Sequence, residues 1–272
     1  SEEEIASDLT GVIFRLPAPV DDEGKPRYVT ADEYLSGNVR QKLRDARAAA
    51  DLSPIFEPNV KALEKAQPKD LDASEIDVRL GATWVDKEYI QQFMHELFEV
   101  PFYQRRAVQV QYSNFISEWR ISGKTSLSYN NVPNNLTYGT DRASGLRILE
   151  DTLNLRDVRI YDTIEDADGK EKRVLNQKAT TLAQQKQQAI KDAFRDWVWK
   201  DPDRRETLVK KYNELFNSVR PREYDGQHIT FSGMNPEITL REHQRNAIAH
   251  TLYGGNTLLA HVVGAGKSAT RS

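Results

Sequence analysis

Cysteine is absent from the 272-residue sequence. Its absence excludes disulfides, thiolate catalysis and cysteine-based zinc sites, and a reducing cytosol is the simplest setting, so we predict a cytoplasmic protein. Long apolar runs are missing too: no stretch approaches the roughly 20 residues that a membrane span needs. The first residues, Ser-Glu-Glu-Glu, do not resemble a signal peptide. We therefore expect no membrane partner.

Recognisable metal and acid–base motifs are also lacking. No histidine stands in a His-Glu-x-x-His or other ligand spacing, and nothing in the sequence pairs two carboxylates for acid–base work. His243 and His250 lie seven residues apart and are expected to be surface or interface residues. The remaining histidines are His95, His228 and His261.

The chain has only a small excess of one sign of charge, with a net charge of −3, but its acidic and basic residues are unevenly distributed. Residues 1–100 hold 12 Lys and Arg against 21 Asp and Glu, whereas residues 101–150 hold 6 against 3 and residues 151–272 hold 20 against 17. The acidic first hundred residues are thus the less favourable surface for nucleic acid. With 38% hydrophobic residues, the chain is long enough for one large or two ordinary globular domains.

What is present predicts an α+β fold that is rich in helix and carries small antiparallel hairpins. A capping box over Thr30–Glu33 opens the first helical segment. Periodicity and caps predict helices over 40–50, 59–66, 87–98, 144–153 and 180–199, and from Pro202 to about Phe216. Alternation predicts two hairpins, 108–112 with 117–122, and 158–164 with 172–175 across an Asp168-Gly169 turn.

Near the end of the sequence, a helix, an apolar run and a glycine-rich turn follow one another. The helix is expected from Leu240 to about Tyr253, and residues 256–263 suit a buried strand. The turn that follows consists of Gly264, Ala265, Gly266, Lys267 and Ser268. A strand entering such a turn is the layout of a phosphate-binding loop, in which backbone N–H groups surround phosphate oxygens. Lys267 would reach the β and γ phosphates, and the Ser268 hydroxyl would ligate magnesium.

The turn departs from the strict loop pattern, because His261 stands where the first glycine belongs. A second Gly-Lys-Thr, within Ser122–Thr125, has Glu118 at that position and is not followed by a helical sequence. We interpret it as an exposed turn.

Gln244 strengthens the interpretation of the loop, since it lies 23 residues before Lys267 within a Leu-x-x-His-Gln sequence. Together these segments resemble the first motifs of superfamily-two helicases, in which a glutamine so placed binds the adenine edge. The stretch from Leu258 to Ser268 is similar to the first ATPase motif of Swi/Snf-type DNA translocases, with residues 261–263 (His-Val-Val) replacing Asp-Glu-Met.

The resemblance narrows to the large helicase–methylase proteins of phages and integrative conjugative elements. Segments ahead of the motif are similar to the same family, at 34–43, 80–84, 138–142 and 220–226. The resemblance implies ATP and Mg²⁺ as cofactors, double-stranded DNA as a partner, and further helicase and methylase regions. On this basis we expect an N-terminal arm (1–29), an acidic helical region (30–105), an α+β linking region (106–235) and the start of a helicase α/β domain (236–272).

That helicase domain is expected to be incomplete, because the acidic magnesium-binding motif and the arginine finger are not among these residues. The chain alone should then be catalytically inactive. The alternative is a non-catalytic DNA- or partner-binding module with a remnant phosphate loop. A basic run (Lys170, Lys172, Arg173, Lys178, Lys186) could contact phosphates or form a solvated face. An aromatic group (Phe194, Trp197, Trp199, Tyr212, Phe216) could stack on bases, but its helical spacing favours the core.

Overall fold

A computed structural model describes residues 8–17, 25–127, 130–165, 171–232, 234–235, 237, 239–254 and 256–258. It divides the chain into two compact units, a terminal unit formed by Ser1–Asp70 with Glu214–Ser272, and a central unit formed by Leu71–Asn213. Both mix helices with two-stranded antiparallel sheets, so the α+β class expected from the sequence is confirmed. Among the described residues, no helix is long and apolar enough to cross a membrane.

The terminal unit begins with a hairpin of β1 (Ile13–Arg15) and β2 (Tyr28–Thr30), in the register Phe14 opposite Val29. Phe14 and Tyr34 are buried and stack at 4.9 Å. Helices α1 (Ala31–Tyr34), α2 (Val39–Leu52) and α3 (Glu57–Lys65) follow. A small core forms between them and the hairpin. The residues expected to be an arm therefore contribute Phe14 to this core.

The break between α1 and α2 lies at the Ser-Gly-Asn sequence of residues 36–38. Gly37 adopts a φ of +71°, which favours glycine, and Asn38 caps α2 by accepting a hydrogen bond from the Gln41 N–H at 3.0 Å. The Lys42 ammonium donates to three carbonyl groups of residues 33–36 at 2.8–3.0 Å. The capping box expected at Thr30 is not formed, since its side chain makes no cap hydrogen bond to the helix. α1 is a single turn, and Lys42 satisfies its last carbonyls instead.

The terminal unit is completed by β8 (Val219–Arg220), which pairs antiparallel with β3 (Gly37–Asn38), and by α8 (Glu242–Gly254). The pairing joins segments about 180 positions apart in the sequence. The terminal unit is therefore built from two separate stretches of the sequence.

The central unit packs α4 (Lys87–Leu97), α5 (Gly145–Leu153), α6 (Gln177–Val198) and most of α7 (Pro202–Phe216) around one core. Two hairpins flank them: β4 (Val110–Ser113) with β5 (Glu118–Ile121), and β6 (Tyr161–Glu165) with β7 (Glu171–Leu175). Both hairpins were predicted, although the Asp168-Gly169 turn lies outside the described residues. Short 3₁₀ turns span Pro54–Phe56 and Phe102–Gln104, and a π-helical turn spans Pro133–Thr137.

The boundary expected at residue 105 falls inside this central core. Phe93 and Phe98 on one side of it, and Val108 and Trp119 on the other, are all buried in the same cluster. The contacts divide the chain at residues 70 and 213. The reason is physical: the apolar face of α4 is covered by residues that follow it in the sequence.

The second Gly-Lys-Thr forms a turn, as predicted. Gly123 has a φ of +64°, and a Cβ there would lie 2.3 Å from the Ala107 carbonyl oxygen, so only glycine fits. Lys124 pairs with Glu150 of α5 at 2.5 Å, and the same carboxylate accepts from the Ile121 N–H at 2.6 Å. Since Lys124 is engaged with the protein's own carboxylate, this turn is structural.

The aromatic group mainly fills the core, as its spacing favoured. Phe194 is buried against Phe93 at 5.0 Å, and Trp197, Trp199 and Tyr212 pack partly buried around the central cluster. Phe216 differs, with 58% of its surface exposed.

Candidate nucleotide-binding site

Helix α8 carries Gln244, the one predicted site residue within the described part of the chain. The helix starts at Glu242, so Gln244 is its third residue. Its side-chain Oε1 accepts a hydrogen bond from the Arg241 N–H at 2.8 Å. The backbone N–H of Gln244 donates to the Arg241 carbonyl at 3.0 Å. This return of a glutamine side chain to the residue before the helix is half of a capping box. Gln244 thus stabilises the start of α8.

The position of Gln244 is largely buried, with 7% of its surface exposed. Ala247, three residues further, is buried too, and residues three apart share a helix face. Leu240 is buried just ahead of the helix. The side chain is therefore held by packing and by the cap together. Its role toward adenine stays a prediction.

The segment that precedes α8 packs along it through rings and backbone. Tyr224 stacks on His250 at 4.4 Å with an interplanar angle of 15°. The Gly226 N–H donates to Asn246 Oδ1 at 3.0 Å, and a Cβ on Gly226 would lie 2.1 Å from the Arg245 carbonyl oxygen. Glycine is thus required for this close approach, which fixes residues 224–226 against the helix.

A cleft of about 460 Å³ opens beside this packing. Glu242 and Asn246, four residues apart on one face of α8, line it, and Gln244 does not. Three further carboxylates also line it (Asp32, Glu223, Asp225), against the single cationic side chain of Arg220. Phosphate groups are repelled by such a lining, so the cleft does not suit a nucleotide.

Asp32, one of the residues that line this cleft, forms an ion pair with Arg222. Arg222 donates to Asp32 through Nε at 2.7 Å and through a terminal nitrogen at 2.6 Å. Partial burial alone would raise the pKa of Asp32, but hydrogen bonds from Thr30 and Arg222 hold that pKa below its ordinary value. Asp32 is therefore a structural anion rather than an acid–base group.

The predicted phosphate loop lies outside the described residues. This applies to Gly264, Ala265, Gly266, Lys267 and Ser268, and to most of the predicted strand over 256–263. The structure accordingly does not place the loop relative to Gln244. Ser268, the predicted Mg²⁺ ligand, is among these residues.

Three of the histidines that the structure describes, His95, His228 and His250, contact other groups of the protein. His250 is stacked on Tyr224, and His228 lies 3.1 Å from the Tyr253 hydroxyl through its Nε2. His95 contacts the Val108 carbonyl at 2.8 Å. Within the described ranges, no group of three His, Asp or Glu side chains could hold a metal ion.

The predicted basic run is partly engaged with the protein itself. Lys186 donates to the carbonyls of Leu136 and Thr137 at 2.9 and 3.0 Å, and Arg173 lies over the Tyr161 ring at 4.9 Å. Lys170 lies outside the described residues. DNA contact by this run stays a prediction.

Residues 79–218 match the family model described as "Domain of unknown function (DUF8437)". The chain belongs to the DUF8437 family. The matched range of DUF8437 covers most of the central unit and ends before α8. Gln244 and the predicted phosphate loop are thus outside the part that defines the family.

One curated relative comes from a phage. "Defense against restriction protein B" of Escherichia phage P1 is 31% identical over 93 residues, which are 34% of this chain and 4% of that protein. The chain therefore spans only a small fraction of the relative that it matches. No solved structure matches the DUF8437 chain at a significant level.

Proposed function

We propose that this chain is part of an ATP-dependent DNA helicase or translocase of a mobile genetic element, in which α8 leads into the nucleotide site. The observation that carries the proposal is the order of the two motifs. Gln244 stands at the start of α8, and the Gly-Ala-Gly-Lys-Ser turn follows at a spacing of 23 residues to Lys267. The similarity to a phage protein whose name states defence against restriction also supports an origin in a mobile element.

In this proposal Gln244 recognises adenine by hydrogen bonds. A carboxamide matches the adenine edge, because its oxygen accepts from N6 and its nitrogen donates to N7. The Oε1 of Gln244 already accepts from the Arg241 N–H, and an sp² oxygen has a second lone pair for a second donor. The cap fixes the orientation of the amide before a nucleotide arrives.

In the proposed site Lys267 supplies a positive charge and Ser268 supplies a neutral metal ligand. The lysine ammonium would neutralise the β and γ phosphates, and the Ser268 hydroxyl is the group that would hold Mg²⁺. When bound, Mg²⁺ would supply positive charge against the charge that develops on the phosphates.

The proposal is tested by steady-state phosphate release with and without duplex DNA. In the natural gene product that contains these residues, we expect DNA-stimulated hydrolysis that Lys267→Ala abolishes. Lys124→Ala is the matched control, because it removes the lysine of the structural Gly-Lys-Thr turn. The 272-residue chain alone should show no turnover, since an arginine finger by itself is worth about 10³–10⁵ in rate. Full activity of the Lys267→Ala protein would refute the assignment.

A second candidate is a non-catalytic DNA- or partner-binding module, with the phosphate loop as a remnant. The range of the family match favours it, because residues 79–218 are matched without α8 or the loop. The two candidates differ in one measurable respect: binding by the module needs no nucleotide and is insensitive to Lys267→Ala.

A further inference from the structure

The central unit carries an open cleft that is lined by exposed aromatic and charged side chains. It encloses about 750 Å³ between the start of α4 and residues 102–110. Phe102 and Tyr103 line it with 85% and 79% of their surfaces exposed. Two adjacent large aromatic side chains so exposed do not contribute to the core, and they present open ring faces.

The backbone that carries these rings is fixed on both sides. Val100 and Val108 are buried, and the Arg105 Nε donates to the Val100 carbonyl at 3.1 Å. On α4, Gln91 Oε1 accepts from the Val110 N–H at 2.6 Å. The turn is therefore pinned to the helix, and the exposure of its aromatic side chains follows from a defined backbone.

Positive charge surrounds the rings. Lys87, Arg105 and Arg106 line the cleft, against the single carboxylate of Glu88. Glu88 lies 3.9 Å from Lys87, a weak surface pair. Within the described part of the chain, neither arginine has a carboxylate within 4.0 Å. The cleft thus offers cations to an anionic ligand.

We propose that this cleft binds single-stranded nucleic acid, with bases stacked on Phe102 and Tyr103 and phosphates against Arg105, Arg106 and Lys87. Exposed aromatic faces combined with a positive groove are the features that bind unpaired strands without sequence preference. A duplex hides its base faces within the stack and leaves these rings without a partner. The inference goes beyond the proposed ATP-dependent function, because it uses no residue of α8 or the loop and needs no nucleotide.

The test is fluorescence anisotropy of the 272-residue chain with a labelled oligothymidylate, without ATP. Since stacking is worth about 1–3 kcal/mol per base, Phe102→Ala and Tyr103→Ala should each weaken binding by about 5- to 150-fold. Phe115→Ala is the matched control: it removes an aromatic ring that is 98% exposed and does not line the cleft. An abasic oligomer of equal length should bind wild-type protein more weakly and should not distinguish the variants.

The phosphate contacts are tested by the salt dependence of the same binding. Arg106→Gln should lower the slope of log K against log salt by about 0.7, whereas Arg159→Gln, an exposed arginine outside the cleft, should leave it unchanged. Thermal melts establish that each variant is folded.

Several results would overturn the inference. They are tighter binding to a duplex of the same length, unchanged affinity in both folded aromatic variants, an equal loss in Phe115→Ala, and no binding by wild-type protein at low salt. Loss of ATP hydrolysis by Lys267→Ala has no bearing on any of these outcomes, so the two proposals fail separately.

Discussion

Gln244 has one observed role and one proposed role, and two substitutions separate them. Its Oε1 caps α8 by accepting from the Arg241 N–H. Recognition of adenine would also use the side-chain N–H₂ as a donor to N7. Alanine removes both functions, whereas glutamate keeps an acceptor at the cap and removes the donor. The pair Gln244→Ala and Gln244→Glu therefore distinguishes a cap from an adenine contact.

The effect on stability follows from the cap. A hydrogen bond of this kind contributes about 0.5–1.5 kcal/mol to stability. Because Arg241 is exposed, its N–H can donate to water in Gln244→Ala, which offsets part of the loss. In domains of this size about 1 kcal/mol corresponds to about 2–4 °C in Tm. Gln244→Glu should melt closer to the wild type than Gln244→Ala, because it keeps an acceptor for the Arg241 N–H.

The effect on nucleotide choice follows from the amide. A bidentate amide–adenine pair is worth about 1–3 kcal/mol of discrimination, or about 5- to 150-fold. In the natural gene product, kcat/KM for ATP should therefore be about 5- to 150-fold higher than kcat/KM for ITP. This ratio should fall toward 1 in Gln244→Ala and decrease in Gln244→Glu as well, despite the intact cap. Phosphate release with each nucleotide measures the ratio.

One result would refute this reasoning. If both variants keep the wild-type preference for ATP while Gln244→Ala melts lower, Gln244 is a helix cap and nothing more. Asn246→Ala is a useful control, since Asn246 bonds the Gly226 N–H from the cleft-lining face of α8 and should alter stability alone.

Two further predictions concern the central unit. Burial raises the pKa of the Asp151 carboxyl, so Asp151 contributes stability at low pH that is lost as the pH rises through its folded-state pKa. Asp151→Asn should therefore raise Tm at pH 7 relative to the wild type and leave it nearly unchanged at pH 3, as measured by circular dichroism. The Gln187 amide bonds the Val158 N–H, Thr152 Oγ1 and the Arg156 carbonyl, so Gln187→Ala should cost about 2–4 kcal/mol in urea unfolding. The exposed neighbour Gln188→Ala should cost less than about 0.5 kcal/mol.

Most helices and both central hairpins were predictable, because their signals are local. Asn38, Ser144 and Asp201 each accept a hydrogen bond from a backbone N–H three residues on, at the start of a helix that the sequence indicated. The alternation of residues 108–112 likewise fixes which side chains of β4 face the core. These features depend on neighbours within a few residues.

The composition of the two units was not predictable in this way, because it depends on contacts between distant segments. β3 pairs with β8, and Asn59 bonds both the Tyr34 hydroxyl and the Arg15 carbonyl. No periodicity in a single segment encodes such pairs. The aromatic–cationic cleft was missed for a related reason. The sequence shows Phe-Tyr and Arg-Arg close together within residues 102–106. It does not show whether the two aromatic side chains are exposed or belong to the core.

The two proposed sites lie on different units, so each can be tested without the other. Gln244 belongs to the terminal unit, whereas Phe102 and Tyr103 belong to the central unit that the DUF8437 model matches. If the family domain has a role of its own, that role must use residues within 79–218, and the cleft between α4 and residues 102–110 lies within that range. A DUF8437 protein that lacked residues 240–268 would then still bind single strands. Binding that disappears with Lys267→Ala would instead place the affinity in the motor.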